Sequence, residues 1–528
     1  MSGASSASSP RRSSTAAARI SLSRRATSAR ACLMPSSFCP GERSQRACTA
    51  ARNARYCASS AAACAGRPSL TQGGNAEGGT GSVTITYWDW WVTQGPTIDR
   101  EIALFQERYP HIRVEKTTQV YDRYPELVQL AFKGGNAPDV LLIPYKPNLL
   151  DQVRLGWYLP LNPWATEEWR AMFPEGSFAE GSNIFDGQLY TVPYEGPAPW
   201  LQLYLNARVF REAGLVDAQG DPLVPRTWDD VRTYARTITE KGGGRVYGYG
   251  FGGRQGFTLP WQLMMTQMSG APGGSTGFDW REGRYTWASN PVYAQWVEFF
   301  LAMKGDGSII PNAMTMDDEM VRAAFADGKF GMLVGGVWVQ TGWEQTHPSF
   351  RDYLVLPLPW KDPAGPASYF YRTPGGIGWA ISSQTKHPEE AWLWFQWLNS
   401  PEAAERWVRD NQGSRVFPEV NRPEFAKTPQ FRQYLELAEY VKLGPAPYLE
   451  HPEMAEVKEQ QTLPNIDQIL QGIFTGQVRD YEAALADLET RQNAELERAI
   501  AEAQARGVAV RREWWRVADW DPTRDYRT

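Results

Sequence analysis

Three tryptophans and an aspartate stand in one run, Trp88-Asp89-Trp90-Trp91, the densest group of chemistry-bearing side chains in the sequence. Indole faces stack on flat apolar surfaces such as the C–H faces of a sugar ring, and a carboxylate accepts hydrogen bonds from its hydroxyls. The run closes a stretch in which Val83, Ile85 and Tyr87 alternate with Thr84, Thr86 and Trp88, the period of a strand. A packed aromatic cluster is the competing reading of the same residues. Gly375 and Gly376 mark a second place, because adjacent glycines let the backbone approach a neighbour, offer its own polar groups and bend. Motifs of covalent catalysis fail on context. Gly273-Gly274-Ser275-Thr276-Gly277 fits GxSxG, but it lies in a Ser/Gly/Pro loop and not between a strand and a helix. Gly248 to Gly253 lacks dinucleotide spacing, and no GxxxxGK[ST] occurs, so the chain is no P-loop ATPase.

The length of 528 residues is too great for one ordinary core and suits two lobes of roughly 200 residues each. All five cysteines, Cys32, Cys39, Cys48, Cys57 and Cys64, fall in the head, so the body can hold neither a disulfide nor a cysteine-metal site. That distribution suits an exported protein. Three of the four histidines, His347, His387 and His451, precede proline, which favours turns over a metal site. Neither a metal nor a cofactor is expected. Residues 1–80 carry 11 Arg against 2 Glu, a net +9, which leaves −14 on the rest of a chain whose total is −5. An acidic body argues against nucleic acid as a partner. The head lacks the apolar run of a signal peptide, and no later stretch is long and apolar enough to span a bilayer.

The elements that must position these residues alternate in type. After the strand of Val83 to Tyr87, Ile98, Ile102, Phe105 and Tyr109 recur at helical spacing until Pro110. Ile112 and Val114 form a second strand, Tyr124 to Ala131 a second helix, and Val140 to Ile143 a third strand. This βαβαβ pattern predicts a parallel sheet whose strand ends, after Tyr87 and Ile143, face a crevice. The pattern resumes beyond the Pro- and Gly-rich stretch Val192 to Pro197. Strands are expected over 201–205, 330–334, 353–358 and 377–382, with helices over 209–214 and 337–345 and one capped by Thr227. In the last helix Tyr481, Leu485, Leu488, Gln492, Leu496, Ile500 and Ala503 share one stripe, predicted to dock onto a lobe rather than form a coiled coil.

Several ordered motifs carry a resemblance across roughly residues 82–506. They are Ala137-Pro138-Asp139-Val140, Phe210 to Leu215, Pro225-x-Thr227-Trp228-Asp229-Asp230, Gly375-Gly376, Lys386 to Trp392, Leu463 to Ile466, and Phe474 to Gln477 followed by Tyr481 to Leu485. Together they resemble the family 1 extracellular solute-binding proteins, the maltose-binding-protein-like receptors of ABC importers. The resemblance implies an α/β, two-lobed periplasmic-binding-protein type II fold, each lobe a sheet flanked by helices, joined by crossing hinge segments. It implies a receptor that captures a sugar or oligosaccharide between lobes that close like a hinge, then delivers it to the permease subunits of an importer. It places the chain outside the cytoplasm, in the periplasm or on the cell surface, as a monomer without catalysis.

On this resemblance Trp88, Asp89, Trp90 and Trp91 face the crevice, and Tyr145 follows the third strand where the family places contacts. Glu195, beside Tyr194, falls on the first crossing at the position of a ligand-binding acid. Gln255, Phe257 and Trp261, beside Arg254, look like the contribution of the second lobe. Trp338 matches a stacking tryptophan, and Gly375 and Gly376 offer backbone contacts on a crossing that bends. The expected divisions are a head over 1–81, a first lobe from 82–192 and 338–374, a second from 197–335 and 378–506, and a tail over 507–528. Trp392, Leu393, Phe395 and Trp397 are then core of the second lobe. Ala61-Ala62-Ala63-Cys64-Ala65-Gly66 and its Gly-rich sequel resemble a lipoprotein cleavage site, which makes Cys64 a candidate lipid anchor and residues 1–60 a wrongly started reading of a signal segment. Two other functions fit a cleft lined by tryptophan. One is a glycoside hydrolase with Asp89 and Glu195 as its acid pair, and the other is a receptor of the same fold for a non-sugar solute.

Overall fold

The computed structural model describes residues 82–526; the head, with Cys64 and the expectations placed on it, lies outside them. Ten strands position the cleft. In chain order they are β1 (Val83–Asp89), β2 (Ile112–Thr118), β3 (Val140–Leu142), β4 (Gln202–Asn206), β5 (Tyr247–Gly250), β6 (Phe330–Gly335), β7 (Tyr353–Leu356), β8 (Phe370–Arg372), β9 (Trp379–Ile381) and β10 (Val441–Leu443). The first sheet has the order β9-β3-β1-β2, with β1 parallel to both β2 and β3, as the βαβαβ pattern predicts. The second has the order β7-β4-β6-β5. Each sheet is the centre of one lobe, which is the two-lobed α/β fold expected.

Sequence chemistry sets the element ends. Helix Trp228–Gly242 opens on a capping box, in which the Thr227 side chain accepts from the Asp230 N–H and the Asp230 side chain accepts from Thr227. Helix Pro388–Leu398 begins on proline with Glu389 and Glu390 in its first turn, where acids complement the helix dipole. The long helix Tyr481–Ala505 buries Leu485, Leu488, Leu496, Ile500 and Ala503, so its stripe docks onto the body.

The lobe boundaries differ from the expected ones at two places. Strand β7 pairs antiparallel with β4, with Val355 opposite Tyr204, so the stretch assigned to the first lobe over 338–374 builds the second. Strand β9 pairs antiparallel with β3, with Ala380 opposite Leu141, and this closes the first sheet. Helix Pro388–Leu398 follows it: Trp394 packs on Tyr87 and Phe105 at ring distances of 5.8 and 5.1 Å. Trp392 packs on Trp169, and the Trp397 indole donates to Glu101. These aromatics are therefore first-lobe core. The chain returns to the second lobe at helix Pro429–Glu436, where Gln433 accepts from the Val355 N–H. Apolar periodicity predicts a strand or a helix but not its partner, which is fixed by long-range packing.

Three segments thus cross between the lobes: Val192 to Leu201, 373–378, and 410–428. The tail is held down. Trp515 and Trp520 are buried, and the Tyr526 N–H donates to the Leu443 carbonyl at 2.9 Å.

Candidate functional site

The first lobe offers the cleft an aromatic group made from three loops. Trp90, just past β1, lies 5.9 Å from Tyr121 and 6.4 Å from Tyr145, and Tyr121 and Tyr145 stack at 4.7 Å. Tyr121 follows β2 and Tyr145 follows β3, so all three come from the same ends of parallel strands. Burial pushes the Tyr121 hydroxyl up to about 12, and it stays neutral.

The rest of the tryptophan run turns inward. Strand alternation puts Tyr87 and Asp89 on one face and Trp88 and Trp90 on the other. Trp88 packs into the small core around Tyr124 and Phe132. Asp89 is fully buried, and its Oδ1 accepts from the Trp91 N–H at 3.3 Å. Desolvation raises its pKa. Trp91 is buried among Trp407, Tyr194 and Trp379 at 5.0, 5.3 and 5.4 Å. The crevice-facing assignment of Trp88, Asp89 and Trp91 is therefore corrected: Trp88 joins the first-lobe core, Asp89 turns to the backbone of its own turn, and Trp91 packs against Tyr194, Trp379 and Trp407. A carboxylate turned to its own backbone also removes Asp89 as a partner of Glu195 in the acid pair of a glycosidase.

The second lobe supplies the facing group. Phe257 and Trp261 lie 5.3 Å apart, Trp261 and Trp338 5.5 Å, and Trp200 lies 5.9 Å from Trp261 and 6.3 Å from Trp338. Trp338 begins a helix directly after β6, and Gly336 lies under its ring: a Cβ there would stand 1.8 Å from Cζ3. The Trp338 indole donates to Asp318 at 3.3 Å, and Asp318 also pairs with Arg322. Burial raises the Asp318 pKa, and Arg322 and Trp338 draw it back. Gln255 is spent on the loop, accepting from the Asp318 N–H at 3.0 Å, and Arg254 pairs with Asp317. The two groups meet where Tyr121 and Phe257 stand 6.1 Å apart.

The crossings form the floor. Glu195 is exposed, and its carboxylate accepts from the Tyr194 hydroxyl at 2.8 Å. Although the side chain reaches solvent, protein crowds its carboxyl and this desolvation raises its pKa, while Tyr194 and Arg415 pull it down. Glu195 bridges antiparallel to Arg415 of the third crossing, so two crossings run side by side. Gly375 and Gly376 adopt positive φ of 81° and 128°, and their N–H groups are committed to the Gly176 carbonyl and the Ser182 hydroxyl. A Cβ on Gly375 would come 2.2 Å from Ser182 Oγ. These glycines are needed for close packing on the first lobe, and the donors assigned to a ligand are already spent.

Sequence reasoning missed Tyr121, Trp200 and Asp318. Trp200 ends the Pro-rich crossing and is half exposed, an aromatic flanked by proline and leucine that carried no periodic signal. A separate depression of about 520 Å3, between helices Trp228–Gly242 and Pro291–Gly305, contains no residue of the aromatic wall. Its Arg232 pairs with Asp306 and its Lys361 with Gln295. Among the described residues no group of three His, Cys, Asp or Glu side chains is placed to hold a metal ion, and no helix is long and apolar enough to cross a membrane.

Comparison with known proteins agrees with this fold. The chain is 23% identical over 369 residues to a putative binding protein of Brucella abortus, a match covering 69% of this chain and 82% of that one. Among solved structures it resembles an ABC transporter solute-binding protein of Thermotoga lettingae bound with α-D-tagatose, at 22% identity and a TM-score of 0.60, covering 79% of this chain and all of that one. It also resembles the GacH receptor of Streptomyces glaucescens, solved unliganded and with acarbose, at 17% identity and a TM-score of 0.60, covering 79% and 99% of the two chains. RafE of Streptococcus pneumoniae, in its apo form, matches at 20% identity and a TM-score of 0.55, covering 80% and 100%. The family model for bacterial extracellular solute-binding proteins matches residues 89–405, more than half of the sequence, and the chain belongs to that family.

Proposed function

We propose that the protein captures a sugar or oligosaccharide between its two lobes and presents it to the permease subunits of an ABC importer. The observation that carries this reading is the continuous aromatic wall, from Trp90, Tyr121 and Tyr145 across to Phe257, Trp261, Trp338 and Trp200. Such faces match the C–H faces of pyranose rings, while Glu195 and Asp318 suit the hydroxyl rim. The similar structures solved with tagatose, raffinose and acarbose support the same ligand class. The ligand would contact both lobes and so stabilise their closed arrangement, bending the three crossings. Only binding is required; the chemistry of the ligand is unchanged.

Titration calorimetry against a panel of mono- and oligosaccharides tests the reading. Saturable binding to at least one sugar, lost in Trp338→Ala, is expected; binding of a peptide or other solute in place of every sugar would overturn it. Action as a monomer, checked by light scattering in solution, belongs to the same proposal. So does anchoring through a lipid on Cys64, supported by the small residues before it and the glycine-rich stretch after it. Incorporation of labelled fatty acid in cells, abolished in Cys64→Ala, checks the anchor.

A further inference from the structure

Beneath the cleft floor lies a charge that ligand capture does not by itself require. Arg415 is 2% exposed, a fully buried guanidinium. Its guanidinium carbon stands 5.6 Å from the ring centroid of Tyr194 and 5.4 Å from those of Trp379 and Trp407. Nη2 donates to the Leu398 carbonyl at 3.0 Å, and Nε has no partner among the described residues. No carboxylate pairs with it there. A buried cation without an ion-pair partner is costly, and an apolar side chain would fill the same space without that cost.

The backbone around it is fixed with unusual care. Asn421 accepts from the Arg415 N–H at 2.7 Å and donates to its carbonyl at 2.6 Å. The Val416 N–H donates to the Tyr194 carbonyl at 3.0 Å. Gly196 permits the close approach, since a Cβ there would lie 2.3 Å from the Arg415 carbonyl oxygen. Tyr194 is thereby sandwiched, with the cation at its ring and its hydroxyl on Glu195. A cation facing a phenol ring draws density from the oxygen and makes the hydroxyl a stronger donor. The positive charge also favours the ionised carboxylate through space.

We infer that Arg415 is a positioning residue: acting through Tyr194, it holds the Glu195 carboxylate ionised and aimed into the cleft as an acceptor for the ligand. The inference rests on the reading of the cleft as the ligand site. The groups facing Glu195 are Tyr194 beside it, Arg415 from the third crossing, and Tyr434 from helix Pro429–Glu436. Arg415 also faces Glu101 of helix Gly95–Arg108 and Tyr87 of β1. Tyr434, pushed up to about 12 by burial, is neutral throughout, and Glu101 is occupied by Arg406 and Trp397. Desolvation lowers the Arg415 pKa to about 10, which leaves it charged at neutral pH.

The test compares Arg415→Met, Arg415→Lys and Tyr194→Phe in the full chain, measuring the Kd of whichever sugar the wild type binds across pH 4 to 8. Arg415→Met is expected to raise the Kd at neutral pH roughly tenfold and to move the acid midpoint of binding to higher pH. Arg415→Lys keeps the charge and restores that midpoint. Arg415→Met with the wild-type midpoint, or equal loss in the Met and Lys variants at every pH, overturns the inference. If Arg415→Met does not fold, Tyr194→Phe decides, because it keeps the ring and the cation and removes only the hydroxyl. The 13C shift of the Glu195 carboxyl, titrated without ligand, separates the two readings. A wild type that binds no sugar sinks the sugar reading, whereas a carboxyl that titrates identically in wild type and Tyr194→Phe sinks the relay.

Discussion

The ring of Tyr121 in the first lobe stands 6.1 Å from the ring of Phe257 in the second, so the two walls of the cleft touch. Both rings lie at the edge of their lobes: Tyr121 is 40% exposed, and Phe257 is partly buried against the outside of the core. Phe257→Ala is expected to weaken ligand binding by roughly two- to tenfold, since removing an aromatic pair costs roughly 0.5–1.5 kcal/mol. The thermal midpoint should move little. Calorimetry of binding, set beside a melting curve, separates the two effects.

Gly336 lies directly behind the Trp338 ring, and an added methyl would occupy the space of that ring. Gly336→Ala is therefore expected to displace the indole and imitate Trp338→Ala in affinity, although the tryptophan is still present. A crystal structure of Gly336→Ala checks the displacement, and an undisturbed ring with unchanged affinity would contradict it.

Desolvation raises the Glu195 pKa above its ordinary value. Its acceptor function is complete above the raised pKa and is lost as the pH falls through it. Affinity should therefore decline on acidification earlier than an ordinary carboxylate would allow, and Glu195→Gln should flatten that decline. Binding isotherms across the acid range are the measurement.

Two ion pairs join an arm of the second lobe to the first: Arg154 with Glu456, and Asp151 with Lys458 at 2.8 Å. The arm is rooted by Met454 in the cluster with Leu496, Ile500 and Ala503. Its tip touches the second crossing, where the Tyr448 hydroxyl donates to the Pro374 carbonyl at 3.1 Å. All four charged side chains are partly exposed, so each pair is worth at most about 1 kcal/mol and is screened by salt. Glu456→Gln with Lys458→Ala is expected to weaken ligand binding by a few fold and to reduce its salt dependence. Small-angle scattering of the free protein should show a larger radius of gyration.

Trp394 is fully buried between Tyr87 and Phe105. Trp394→Ala should cost about 3–5 kcal/mol. Hydrogen exchange should rise first in Val83–Asp89 and Gly95–Arg108 rather than in the second sheet, which locates this helix in the first lobe.

Local signals were legible in the sequence: the βαβαβ order, the helix cap at Thr227, the docking stripe of the last helix and the tryptophan-rich end of β1. The sheet to which each later strand belongs was not, because Val355 and Ala380 look alike as apolar strand residues and differ only in distant partners. Of the proposed ligand contacts, Trp90, Tyr145, Phe257, Trp261, Trp338 and Glu195 were legible as aromatic or acidic residues at strand ends and crossings. Trp88, Asp89, Trp91 and the glycines were misjudged because each is consumed by neighbours: Trp88 by the first-lobe core, Asp89 by the Trp91 N–H of its own turn, Trp91 by Tyr194 and Trp379, and the glycine N–H groups by Gly176 and Ser182. Tyr121 and Trp200 were missed because each is a single ring outside any periodic segment.

The aromatic wall also makes the molecule its own optical instrument. Trp90, Trp200 and Trp338 line the proposed cleft and are at least partly open to solvent, whereas Trp287, Trp296, Trp343, Trp379 and Trp394 are sealed from it. Excited at the indole band, the sealed rings give a constant blue-shifted background, and quenching or a wavelength change on titration reports the exposed ones. Ligand discovery can thus proceed by intrinsic fluorescence on the unlabelled protein, with Trp200, the most exposed of them at 50%, as the first to respond.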